Sequence, residues 1–232
     1  MAEQTLILFW LNFFRNIWND NSNKIFLWKR IFYVSTFFVM PRVKLFDEDE
    51  VLTKAMNLFW KQGYSATSIQ DLVVHLGINR ASLYDTFGDK EKLFKKSFEL
   101  YRKKSIDKIR QLFQNQPNVK EGFSELFNNA LSEALLDKDR KGCFAVNNTT
   151  ELIPNKDSCL EVLSSNRRDF EKLFYEYLKK GQSKGQLKEC KDLRSLASFL
   201  YIIYNGLLVV SKIHTNKKEL ADSVNLALSL LS

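Results

Sequence analysis

Two apolar stripes, each confined to about two helical turns and separated by one glycine-containing turn, constrain the fold of this chain more than any other feature. The first stripe is Ile69, Leu72, Val73 and Leu76, and Gly77 stops it. Only Ile78 separates that glycine from Asn79, a good N-cap for another helix. Thr67 and Ser68 place N-cap hydroxyls before the first stripe, and Ser68 with Asp71 resembles a capping box. The second stripe holds Leu83 and Phe87, spaced to pack inward against Ile69, Leu72 and Leu76. Two short helices joined by such a turn have the geometry of a helix-turn-helix.

The neighbouring segments complete a small head. A helix over 47–62 is expected from Val51, Ala55, Leu58 and Phe59. Its first turn is crowded with Asp47, Glu48, Asp49 and Glu50, which suits the positive end of a helix dipole, and Gly63 ends it. The third helix, over 79–86, carries Arg80, Ala81 and Ser82 on its first turn, where recognition helices read bases. Tyr84 lies beside them with a hydroxyl in reach of a phosphate. Gly88 and Asp89 close this helix and cap a fourth, so Lys90 stands at a helix N-terminus as a phosphate clamp.

The stretch from Phe46 to Phe94 resembles the DNA-binding domain of the TetR/AcrR family of bacterial repressors. The text that carries the resemblance is Ala55-Met56-Asn57-Leu58-Phe59, Gly63-Tyr64, Ala66-Thr67-Ser68-Ile69 and Leu76-Gly77-Ile78. It continues with Ser82-Leu83-Tyr84-Asp85-Thr86-Phe87-Gly88-Asp89-Lys90-Glu91-Lys92-Leu93-Phe94. In many relatives a His stands where this chain has Thr86, so one phosphate donor is missing. The resemblance implies that Thr67, Ser68, Tyr84 and Lys90 hold the phosphate backbone while Asn79, Arg80, Ala81 and Ser82 open the recognition helix. It also implies that Arg80, Ala81 and Ser82 face base edges. For Thr67 and Ser68 a purely capping role is the alternative, for Tyr84 packing alone, and for Arg80 a phosphate contact instead of a guanine.

Charge alone would not find this head. The formal net charge is +8, yet residues 40–92 hold one more acidic than basic side chain. The cations sit behind, in Lys95, Lys96, Arg102, Lys103, Lys104, Lys108 and Arg110. With only 8 Gly and 3 Pro there is little punctuation for strands and tight turns, so the fold class expected is all-α. It comprises an N-terminal three-helix DNA-binding domain over 40–92 and a helical ligand-binding and dimerisation bundle over 93–232, about nine helices in all.

Within the bundle, helices are expected over about 90–113, 120–136, 143–152, 158–184 and 193–213, with a last one around Leu220 to Leu231. The resemblance implies that the final pair builds a two-fold homodimer, which suits a palindromic operator. It also implies a pocket for a small-molecule inducer. Phe98, Tyr101, Phe127, Phe144, Phe174 and Tyr177 are its candidates, with burial in the core as the alternative. Cys143, in Gly142-Cys143-Phe144-Ala145-Val146-Asn147, is similar to a Gly-Cys segment of a subgroup that includes electrophile- and oxidant-sensing repressors. It is a candidate sensor thiol beside Arg140 and Lys141, with a small buried core residue as the alternative.

Residues 1–39 contain seven Phe, three Trp and one Tyr, in two apolar clusters of about ten residues, each too short to span a bilayer. They are expected to be translated non-coding DNA upstream of a true start at Met40. An amphipathic membrane-facing or partner-binding arm and an extra core helix are the alternatives. The three cysteines show no CxxC spacing, and with only His75 and His214 they offer no zinc pattern. No metal, cofactor or membrane is expected, and a reduced cytoplasmic setting is. An enzyme is not expected either, because there is no Gly-rich phosphate loop and no His placed beside a nucleophile. The remaining competitor is a ligand-independent architectural DNA-binding protein, against which the large aromatic body after Leu93 argues.

Overall fold

The computed structural model describes residues 46–154, 156–187 and 192–231. The reading of residues 1–39 and Met40 therefore lies outside the described residues, as does Cys190. The described residues form nine α-helices and no strand. They are α1 (Glu48–Gln62), α2 (Ile69–Leu76), α3 (Arg80–Phe87), α4 (Lys90–Asn115), α5 (Val119–Leu136) and α6 (Phe144–Leu152). Then follow α7 (Leu160–Ser183), α8 (Leu193–Val210) and α9 (Lys217–Leu228), with single 3-10 turns at Asp157–Cys159 and Ser229–Leu231.

Local chemistry sets most of these boundaries. Asp47, Asn79 and Asp89 each turn a side-chain oxygen onto a first-turn amide of α1, α3 and α4, at 2.9, 2.8 and 2.8 Å. Ser68 and Asp71 form the reciprocal capping box of α2. Gly77 ends α2 at φ 69°, ψ 25°, the left-handed region where a Cβ is costly, and its N–H donates to the Val73 carbonyl. Helix α6 stops at Leu152, just before Pro154, which cannot continue it.

The described residues from Phe46 onward pack as one compact unit around two apolar cores. One core joins α5, α7, α8 and α9 to the second half of α4 and includes Phe113, Phe123, Phe127, Phe174 and Leu200. The other belongs to the head, but not to the head alone. Alongside Phe59, Leu72, Leu83, Phe87 and Phe94 it takes in Cys143, Phe144, Leu152, Cys159 and Leu163. Helix α6 and the start of α7 thus finish the core that the first three helices cannot close themselves. The boundary expected between residues 92 and 93 falls inside α4, which runs through both cores.

Helix α8 is long and apolar enough to cross a membrane by length and composition. Leu193, Ala197, Leu200 and Leu207 are buried in the body core. The opposite side is bare: Ile202 is 63% exposed, Val209 and Val210 are exposed too, and beyond the helix Ile213 reaches 86%. Leu226 of α9 and Leu230 just after it add to the exposed apolar surface.

Candidate nucleic-acid interface

The two short helices each bury one face, through Leu72 and Leu76 of α2 and Leu83 and Phe87 of α3. Leu72 and Leu76 of α2 meet Leu83 and Phe87 of α3 in the head core, and Ile78 in the turn between them is also buried. A helix that buries positions 83 and 87 displays 81 and 85 on its far side and 84 on its flank, while 80 is the first residue of the helix. Arg80, Ala81, Tyr84 and Asp85 are indeed exposed. The Arg80 guanidinium carbon lies 5.9 Å from the Tyr84 ring centroid, so the cation and the aromatic hydroxyl stand side by side. Ser82 is half-buried between the two faces.

Three of the residues expected at DNA have side chains occupied elsewhere. Thr67 is fully buried, and its hydroxyl donates to the Gly63 carbonyl at 2.6 Å, which ties the α1–α2 turn together. In this structure its hydroxyl is thus engaged within the head rather than turned to solvent. The Ser68 hydroxyl donates to Asp71 at 2.7 Å and accepts the Asp71 N–H at 3.1 Å. The same hydrogen bond holds the Asp71 carboxyl below its ordinary pKa. Asn79 caps α3 through the Ser82 amide. For Ser68 and Asn79 the capping alternative is what the geometry displays.

Lys90 begins α4 with its Nζ 4.3 Å from the centroid of the Tyr64 ring, half-buried. Burial, and then the nearby Lys156, lower its pKa. Lys156 comes from far along the chain and sits over the same ring at 4.5 Å, donating to the Tyr64 hydroxyl at 2.7 Å. It also pairs with Glu91 at 3.0 Å. The hydrogen bond from Lys95, then that from Lys156, brings the Glu91 carboxyl down to about 2. Glu151 completes the arrangement by accepting the backbone N–H groups of Tyr64 at 3.1 Å and Ser65 at 2.6 Å. Its carboxylate fills the space that a Cβ on Gly63 would need, and Gly63 has φ 86°. No periodicity pointed to Glu151 or Lys156, because their partners lie some 90 residues away in the chain.

The basic α4 is less available than its composition implies. Lys95 pairs with Glu91, Arg102 with Glu99 and Asp169, Lys108 with Glu133, and Arg110 with Asp107. Asp89 already holds the Lys92 amide at the front of α4, so an anion there would meet the Lys90 side chain first.

Behind the head lies a cavity of about 390 Å³, walled by α1, α4, α5, α8 and the segment from Asp137 to Cys143 that leads into α6. Met56 and Trp60 form one side, Leu126 and Ala130 another, and Tyr204 and Leu208 a third. Tyr101 and Cys143 line it and touch each other, with 3.4 Å between hydroxyl and sulfur. Burial raises the pKa of the Tyr101 and Tyr204 phenols, so both remain neutral hydrogen-bonding groups.

Of the six aromatic residues expected at a pocket, only Tyr101 lines this cavity. Phe98, Phe127, Phe144 and Phe174 are fully buried among other side chains. Tyr177 stacks on Phe113 at 3.9 Å and donates to the carbonyls of Gln116 and Asn118 at 2.7 and 3.0 Å. These five are packed in the two apolar cores, and α7, which carries Phe174 and Tyr177, does not line the cavity. Trp60, which the sequence places simply on the first helix of the head, faces it instead. Its indole N–H donates to the Gly142 carbonyl at 2.9 Å, which pins the segment before Cys143 to α1. His75 is exposed, and His214 pairs with Glu219 at 2.9 Å.

Residues 51–96 match the family model described as bacterial regulatory proteins, tetR family, and residues 124–226 match that of the tetracyclin repressor-like C-terminal domain. An uncharacterized HTH-type transcriptional regulator of Bacillus subtilis strain 168, YezE, is 33% identical over 194 residues, covering 83% of this chain and 100% of its own. The HTH-type transcriptional repressor ComR of Escherichia coli K12 is 32% identical over 191 residues, or 82% of this chain and 90% of ComR. Among solved structures, a cysteine-substituted CifR in complex with 26-base-pair operator DNA superposes with a TM-score of 0.74. It shares 29% identity and covers 82% of this chain and 100% of CifR.

Proposed function

The chain belongs to the TetR family of bacterial regulatory proteins and is a helix-turn-helix transcriptional regulator; from that premise we propose that it is a homodimeric repressor released from a palindromic operator by a small-molecule inducer. The observation that carries the DNA side of this reading is the exposed face of α3, where Arg80, Ala81 and Tyr84 stand together while Leu83 and Phe87 anchor the helix from behind. Arg80 reads a base edge, and Tyr84 and Lys90 hold phosphates on either side of it. Thr67, Ser68 and Asn79 serve the same surface indirectly by fixing where α2 and α3 begin. The exposed apolar residues of α8 and α9 support dimerisation, and the cavity behind α1 supports an inducer site. A regulator that meets the chromosome this way works in the cytoplasm.

Selection of bound fragments from genomic DNA would provide the operator, and substitution then separates the roles. Arg80→Ala is expected to relax specificity at one base pair per half-site, by about 1–3 kcal/mol. Lys90→Ala is expected to weaken all sequences alike and to flatten the salt dependence. A uniform loss for Arg80→Ala would move that residue to the phosphate backbone.

A second route to release involves Cys143, because its sulfur lines the cavity and lies against the Tyr101 hydroxyl. An electrophile small enough to enter would alkylate this thiol and wedge α6 from α4. Operator release by iodoacetamide in the unaltered protein, lost in Cys143→Ser, is the expected outcome; release that persists in the variant excludes the thiol.

A further inference from the structure

The charged lining of the cavity is lopsided once existing partners are assigned. Glu133 and Asp137 are the two acids that line it. Glu133 is taken by Lys108 in an ion pair. Asp137 is held by backbone, one oxygen accepting the Asp139 N–H at 3.2 Å and the other the Lys141 N–H at 2.7 Å. Both carboxylates are thus engaged, and a cationic ligand would have to displace a partner to pair with either.

The remaining cations are in the opposite position. Lys104 Nζ has the Thr53 hydroxyl at 3.3 Å, and Lys141 Nζ lies 5.3 Å from the centroid of the Trp60 ring. Among the described residues neither forms an ion pair. Both line the cavity, alongside the Trp60 ring and the apolar surfaces of Met56 and Leu208. The neutral phenols of Tyr101 and Tyr204 add hydrogen-bonding capacity without adding charge. A flat ring finds aromatic and thioether walls here, and the volume of about 390 Å³ falls within the usual range for small-molecule sites.

We infer that the ligand of this cavity is a small aromatic anion, its ring against Trp60 and Met56 and its acidic group at Lys104 or Lys141. The inference rests on the cavity being the inducer site. It selects a ligand class by the sign of the charge, and it disfavours the aromatic cations that the ring walls alone would accept.

Three probes with one ring and three charges test it on the full chain by calorimetry: naphthoate, naphthalenemethanol and naphthylmethylammonium. Naphthoate is expected to bind about fivefold more tightly than the alcohol, the scale of partly exposed charge pairs, with the ammonium weakest. The double substitution Lys104→Met and Lys141→Met is expected to erase the advantage of naphthoate while leaving the affinity for the alcohol unchanged. That retained affinity also certifies that the variant is folded. An ammonium that binds as well as naphthoate, or an advantage that survives the double substitution, overturns the anion inference and leaves the cavity as a binding site. Naphthoate that binds with the expected preference but never releases operator DNA keeps the charge selection and refutes the inducer role. Failure of all three probes to bind refutes both.

Discussion

Ile202→Arg is expected to yield a folded monomer whose operator affinity is at least 100-fold below that of the unaltered protein. Ile202 is 63% exposed on α8, so the substitution costs the single chain little, within about 0.5 kcal/mol as for other surface changes. In a two-fold dimer built on α8 and α9 the same residue occurs twice, once on each copy. Two guanidinium groups would then be carried into an apolar contact without partners, and an unpaired buried charge costs several kcal/mol. Ile202, Val209, Val210, Ile213 and Leu226 are the exposed apolar residues such a contact would cover, each contributing up to about 1.5–3 kcal/mol if fully buried. Loss of the dimer removes the second half-site from the same binding event, and such linkage is worth about 10²–10⁴ in affinity. Light scattering would give the mass of the species and electrophoretic mobility shift its affinity. A variant that stays dimeric places the interface on another surface.

Phe144→Ala is expected to lower the unfolding free energy by about 3–5 kcal/mol, the range for removing a buried aromatic ring. Phe144 is fully buried at the start of α6. Its ring lies 5.3 Å from that of Tyr101, 5.7 Å from Phe98, 5.8 Å from Trp60 and 6.1 Å from Phe94. These four belong to α1 and α4, so the cavity left by the substitution opens between the head and the helix that carries Cys143. Urea titration reads the effect as a lower midpoint, with Phe199→Ala as the comparison because Phe199 is 36% exposed. A loss below about 1 kcal/mol for Phe144→Ala would show that α6 does not share a core with the head, since even a Leu-to-Ala change in a packed interior costs more.

The large share of the head that was legible in the sequence was legible because its rules are short-range. An N-cap acts over two or three residues, a capping box over three, and a helical stripe over four. Ser68 with Asp71, Gly77, Asn79 and the pair Leu83 and Phe87 all obey such rules, and the structure shows each in its expected place. The display of Ala81, Tyr84 and Asp85 follows from the same periodicity, since it fixes which side of α3 is buried, whereas Arg80 is exposed as the first residue of the helix. Thr67 marks the limit. A hydroxyl before a helix reads equally well as a cap, a phosphate contact or an inward tether to Gly63, and only the path of the turn selects the last.

The cavity shows the opposite case. Phe98, Tyr101 and Phe144 are all aromatic residues of expected helices, yet of the three only Tyr101 lines the cavity, because the placement of α1, α4, α5 and α8 decides it. The charge balance of α4 likewise depends on where Asp169 and Glu133 arrive from α7 and α5. Glu151 and Lys156 reach the turn at Tyr64 only after α6 has folded back onto α1.

From sequence alone came the helices, the caps at Ser68, Asn79 and Asp89, and the helix-turn-helix, because each depends on residues within one or two turns of each other. Tertiary structure alone decided that Thr67 is a tether, that α6 belongs to the head's core, and that Lys104 and Lys141 line a cavity with no acidic partner among the described residues. Those facts depend on which distant surfaces meet, and no local preference encodes the meeting.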